Sequence, residues 1–96
     1  MKHINEIMLM IANFLYGQYS AEDFSFEFPA ALAAAYEVLH GENAPLCDLL
    51  EDQMPELCAA FDPHGTGDPD TLDEAAFKGK VLRIYQEAVP LSLRAS

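Results

Sequence analysis

SAEDFSFEFPAALAAAYEVLHG runs from Ser20 to Gly41. Ser20 suits a helix cap, and Asp23 three residues on makes a variant of the capping box. Phe24, Phe28, Leu32, Ala35 and Leu39 then recur on one side of a 3.6-residue spiral. Gly41, after His40, is a stop signal. The segment therefore predicts a helix. Pro29 lies inside it, where it removes a backbone donor and clashes with the preceding turn, so a kink or break is expected near Phe28. The small side chains from Ala30 to Ala35 favour helix and let a neighbouring helix come close.

The same periodicity appears on both sides of this segment. Ile4, Ile7, Met8, Ile11, Phe14 and Leu15 predict a first helix over 3–16, ended by Gly17 at the position a C′ glycine takes. Leu46, Leu49, Leu50, Met54, Leu57 and Phe61 predict a third unit over 44–61. Pro45 suits its first turn, and Pro55 is expected to kink or split it. Asp62 to Asp70 carries two Pro and two Gly and reads as a loop. Thr71 and Glu74 read as a capping-box pair that opens a fourth unit. Leu72, Ala75, Ala76, Val81, Leu82, Tyr85 and Val89 form its apolar face. Gly79 in mid-helix suggests close helix packing there, and Pro90 is expected to end the unit.

No period-2 pattern and no internal repeat competes with this reading. The expected fold is all-α: a four-helix bundle, kinked at the prolines of its second and third helices. The 96 residues are expected to form one domain, with the bundle over 1–90 and a tail over 91–96. A chain of this length buries roughly 60–70% of its unfolded surface.

Charge is the functional clue. The formal net charge is −11, and 51% of residues are hydrophobic. Between Lys2 and Lys78 there is no lysine or arginine, while fifteen of the sixteen acids lie there. Ten of them fall between Glu42 and Glu74. Asp48, Asp52 and Glu56 recur at i, i+4, i+8 with Glu51 beside them, so they form one ridge of like charges that repel. Asp62, Asp68, Asp70, Asp73 and Glu74 continue the acidic region through the loop. The fourth unit, by contrast, is expected to pair its charges, Glu74 with Lys78 in the favourable i,i+4 order and Arg83 with Glu87 in the weaker reverse order, while the ridge has no Lys or Arg near in sequence and is left bare. A solvated face is the plain reading of the ridge; a surface for a basic partner is the functional one. Direct contact with nucleic acid or an anionic membrane is disfavoured, because phosphate neutralisation needs Lys and Arg.

Other chemistry finds little footing. No GxSxG, P-loop or HExxH occurs, and His3, His40 and His64 are dispersed, so catalysis is not expected. No cofactor is expected either. Asp62, His64, Thr66, Gly67, Asp68, Asp70 and Asp73 match the count of an EF-hand loop, but two strong ligands are missing and position 12 is Asp, so no metal is expected. Small acidic carrier proteins display a prosthetic group on an Asp-Ser-Leu serine. Asp70-Thr71-Leu72 has threonine there, and that threonine reads as a cap. Cys47 and Cys58, eleven residues apart on one helix, would sit about 16 Å apart, too far for a disulfide. Free thiols suit a reducing cytoplasm. The run from Ile7 to Ala12 is interrupted by Glu6 and Asn13 on either side. It is expected to be a helix rather than a leader, and it is too short to cross a membrane.

Two further patterns carry a family resemblance. One is Gly17-Gln18-Tyr19-Ser20-Ala21-Glu22-Asp23-Phe24, leading from the first helix into the second. The other is Leu57-Cys58-Ala59-Ala60-Phe61-Asp62-Pro63, followed by Asp70-Thr71-Leu72-Asp73-Glu74 and then Phe77 and Val81. Over 11–88 this order resembles the small acidic helical immunity proteins of the colicin D type and of contact-dependent growth inhibition systems. The resemblance implies a cytoplasmic protein that binds the C-terminal nuclease domain of a cognate toxin, often a tRNA-cleaving one. An acidic surface would cover the basic active-site groove. Asp48, Glu51, Asp52, Glu56, Asp62, Asp68, Asp70, Asp73 and Glu74 are the expected contact residues. Tyr19, Tyr36 and Phe61 are candidate aromatic anchors, each also readable as core. Two other functions remain open: an acidic adaptor or nucleic-acid mimic that inhibits a basic host protein, and a small Ca²⁺-binding regulator.

Overall fold

The computed structural model describes residues 2–62 and 71–93. The elements run α1 (Lys2–Leu15), α2 (Ala21–Ala34), α3 (Tyr36–Glu42), α4 (Ala44–Ala60) and α5 (Glu74–Leu93). The protein is all-helical among the described residues. α5 packs on α4 and α1; α4 also packs on α2 and α3, and α1 on α2 and α3.

The apolar stripes converge as their spacing requires. Ile4, Ile11, Phe24, Phe28, Leu32, Leu39, Leu46, Leu50, Met54, Phe77 and Val81 are fully enclosed. Phe14 stacks on Phe24 with ring centroids 4.5 Å apart, and Phe77 lies 5.4 Å from Phe14. Phe61, just past α4, stacks on Phe77 at 4.7 Å. One aromatic cluster thus joins α1, α2, α5 and the end of α4. Aromatic pairs of this kind add about 0.5–1.5 kcal/mol each beyond simple burial.

Gly17 ends α1 as its position predicts. Its φ of 82° is costly for residues with a Cβ. The Gln18 N–H reaches the Asn13 carbonyl at 2.8 Å, which closes the terminus. The Ser20 hydroxyl accepts from the Asp23 N–H at 3.1 Å and caps α2.

The chain departs from the sequence expectations at five places. First, the second unit is two helices. Ala35 takes φ −101° and ψ 5°, and α3 starts directly after it. Second, Pro90 lies inside α5 rather than at its end; the helical spans also run through Pro29 and Pro55, so neither proline splits its helix. Proline at position i deprives the carbonyl at i−4 of its donor. For Pro55 and Pro90 those carbonyls belong to Glu51 and Gln86, both exposed residues that water can serve. Third, residues 91–93 are therefore helix, not tail. Fourth, Asp73 rather than Thr71 caps α5: its carboxylate accepts from the Ala76 N–H at 2.8 Å. Fifth, Gly79 is exposed, with nothing within 4 Å of where a Cβ would stand, so no close helix contact explains it.

One junction fastens four helices. Asn43, 7% exposed, accepts from the Leu46 N–H at 3.2 Å and so caps α4. Its amide donates to the Leu91 carbonyl at 2.9 Å, near the end of α5. Next to it, Glu42 closes α3 and reaches the start of α1. The Glu42 carboxylate accepts from the Ile4 N–H at 3.0 Å and sits 2.7 Å from His3 Nδ1. α1 has no acid in its own first turn, so Glu42 supplies the negative charge its N-terminus favours. Partial loss of water pushes the Glu42 carboxyl up. The bonds from Ile4 and His3 outweigh that and hold it below the usual glutamate range.

Candidate protein-binding surface

α4 has a buried face of Leu46, Cys47, Leu50, Met54 and Cys58. The helical period therefore sends Asp48, Glu51, Asp52 and Glu56 outward, and all four are exposed. The ridge read from the sequence is present. Its members nevertheless have different neighbours. Asp48 lies 3.5 Å from His40 Nε2 on α3, and the His40 ring stacks on Tyr36 at 5.7 Å. Asp52 and Glu56 line a groove of about 650 Å³ between α4 and α5. Glu87, Lys80 and Arg83 stand along the same groove, over an apolar floor that includes Leu57, Leu72 and Ile84.

This arrangement corrects two sequence readings. The acids are not without basic neighbours, since α5 brings Lys80 and Arg83 to the groove that Asp52 and Glu56 line. Nor does α5 pair its own charges. Between described residues, only His3–Glu42 and His40–Asp48 come within 4.0 Å. Glu74–Lys78 and Arg83–Glu87 do not close to that distance. The lower half of the ridge thus faces mixed charge, and the upper half, Asp48 and Glu51, faces α3.

The remaining expected contact residues separate. Asp62 is half-buried, and its N–H donates to the Leu72 carbonyl at 3.0 Å. Leu72 in turn donates to the Ala60 carbonyl at 2.8 Å, so a short parallel bridge at Phe61 and Leu72 holds the loop ends together. Asp73 and Glu74 are exposed at the start of α5, where acids favour the helix dipole. Asp68 and Asp70 lie outside the described residues, as do His64, Thr66 and Gly67 of the EF-hand count. Among the described residues no group of three or more His, Cys, Asp or Glu could hold a metal ion. No helix among them is long and apolar enough to cross a membrane.

The candidate aromatic anchors turn mainly inward. Tyr19 is half-buried, packs edge-on against Phe24 at 5.8 Å, and donates its hydroxyl to Glu27 at 2.7 Å. Burial, then that bond, pushes the Tyr19 phenol up to about 12. Phe61 belongs to the core cluster, and Tyr36 is 37% exposed. Sequence reading missed Tyr16 and Phe26, each 82% exposed. The signal for Phe26 was present: it lies two residues from both Phe24 and Phe28, on the side of the helix away from their stripe.

Cys47 and Cys58 are free and buried. Burial pushes the Cys58 thiol up to about 12, and burial followed by the Asp48 charge raises Cys47. Neither is set up as a nucleophile, because thiolate formation is what makes cysteine reactive.

Comparison of the chain with protein-family models, curated proteins and solved structures finds no match.

Proposed function

We propose that the chain is an immunity protein of the colicin D or contact-dependent growth inhibition type, acting in the cytoplasm of the producing cell. It binds the basic C-terminal nuclease domain of a cognate toxin, most simply a tRNA-cleaving one, and covers its active-site groove. It acts by binding, without catalysis or cofactor. The observation that carries this reading is the outward placement of Asp48, Glu51, Asp52 and Glu56 on a chain with no Lys or Arg between Lys2 and Lys78. Carboxylates so arranged take the places of substrate phosphates against Lys, Arg or His of the nuclease. Complementary charge raises the association rate and selects the partner. In this reading α2 and α3, which follow one another without a loop, act as one bent unit of a four-unit bundle. Bends at Pro29 and Pro55 belong to the same proposal.

The test is a pull-down with the purified C-terminal domain encoded by the neighbouring upstream gene, followed by titration calorimetry. Tight one-to-one binding that abolishes tRNA cleavage is the expected result. Absence of binding overturns the cognate-immunity reading for that neighbour. Equal binding to several unrelated basic proteins, all abolished by high salt, would favour a general nucleic-acid mimic instead.

A further inference from the structure

α2 is apolar on two opposite sides. Phe24, Phe28 and Leu32 are fully buried. Phe26, Ala30 and Ala33, at i, i+4 and i+7, form a second line on the outer side, and all three are exposed. Burial in the domain does not account for this line. Phe26 is 82% exposed, and the alanines beyond it leave room for a partner's backbone to approach closely. Exposed Glu22, Asp23 and Glu27 border the aromatic end. Glu27 is held in place there by the Tyr19 hydroxyl at 2.7 Å.

An exposed aromatic residue in an apolar strip, with charged residues around it, has the anatomy of a protein interface. The rim also says what covers it. A second copy of this chain laid on α2 would bring no Lys or Arg to meet Glu22, Asp23 and Glu27, because α2 carries none. An acidic rim that the other side leaves without cations disfavours pairing with a second copy and selects a basic partner. We infer that the outer face of α2 is a docking surface for a protein whose contact region is an apolar cleft or helix face edged by Lys and Arg, with Phe26 as the inserted anchor. This requires a basic amphipathic partner but not a nuclease, so it stands apart from the toxin reading.

The test uses the full chain and a defined probe, a 14-residue amphipathic helical peptide of leucine and lysine, with a leucine–glutamate peptide as control. Amide chemical shifts are followed during titration. The expected result is perturbation centred on Phe26, Ala30 and Ala33, with no response to the glutamate peptide. Phe26→Ala should weaken binding at least tenfold. Glu22→Gln/Asp23→Asn should weaken it several-fold more than Asp48→Asn/Asp52→Asn, which removes the same two charges from α4. Phe26 is exposed, so its replacement leaves the fold intact, which circular dichroism checks. No binding of the lysine peptide, shifts centred on α4, or unchanged affinity in Phe26→Ala would overturn the inference. So would sedimentation of the free chain as a dimer that Phe26→Ala converts to monomer, since that assigns the face to a second copy. Failure of the upstream toxin domain to bind would leave this result as it stands, so the two readings can fail separately.

Discussion

Acidic and amide side chains at the Glu42–Asn43 junction are spent on structure, whereas those on the α4 ridge, apart from Asp48 beside His40, are not. Glu42 takes bonds from Ile4 and His3, and Asn43 ties the start of α4 to Leu91. What differs is whether each group has a fixed partner. On the ridge, Glu51, Asp52 and Glu56 have no ion pair within 4.0 Å of any described basic group. The lesson is that carboxylates in this chain divide into those that close the fold and those left available to another molecule.

That contrast can be broken in order of expected effect. Asn43→Ala removes a cap and leaves the Leu91 carbonyl without its donor, at a cost of about 2–3 kcal/mol. Chemical denaturation should show this, with affinity for a partner unchanged once folded. A loss below about 0.5 kcal/mol would mean the junction is not a structural centre. Glu42→Gln should lower Tm by less than Asn43→Ala, and it should also flatten the acid limb of stability. The Glu42 carboxyl titrates below its ordinary value in the folded state. Its contribution is therefore present above the unfolded glutamate pKa, about 4.3, and is lost as pH falls through the lower folded value. An unchanged pH profile in the glutamine variant would remove Glu42 from that role.

Gly79→Ala should stabilise by about 1 kcal/mol, because a Cβ there meets open space on an exposed helix. A destabilised variant would mean that a Cβ at this position meets a neighbour in the folded chain after all. Smallest of all on stability is the ridge. Asp48→Asn, Asp52→Asn and Glu56→Gln together should change it by no more than about 0.5 kcal/mol, with any gain coming from relieved repulsion. The same triple variant should bind a basic partner more weakly. If it instead unfolds the domain and leaves affinity alone, the division between the two regions is wrong.

Much of the helix content was legible because periodicity and caps agreed. Phe24, Phe28 and Leu32 are buried as their spacing requires, and Gly17 and Ser20 close and open helices where their chemistry suits. The break at Ala35 was not legible. An alanine run carries no stop signal, and α3 is placed by long-range ties such as Glu42 to α1. Pro90 misled for the related reason that local breakers yield where tertiary contacts hold a terminus, here through Asn43 and Leu91. The acid ridge was readable from spacing alone. Its basic neighbours were not, because Lys80 and Arg83 come from a distant helix. Phe26 was readable as an outward residue, but only after the buried stripe of α2 was taken as fixed.

The buried thiols make α4 a reporter of its own opening. Cys47 and Cys58 lie towards opposite ends of that helix, 0% and 5% exposed. With both thiols raised, neither reacts appreciably until the helix around it lifts away and water arrives. Alkylation rates at the two positions therefore time two separate breathing events. If Cys58 is trapped much faster than Cys47, the helix peels from the end that carries Phe61; if the two rates coincide, α4 leaves the bundle as one piece.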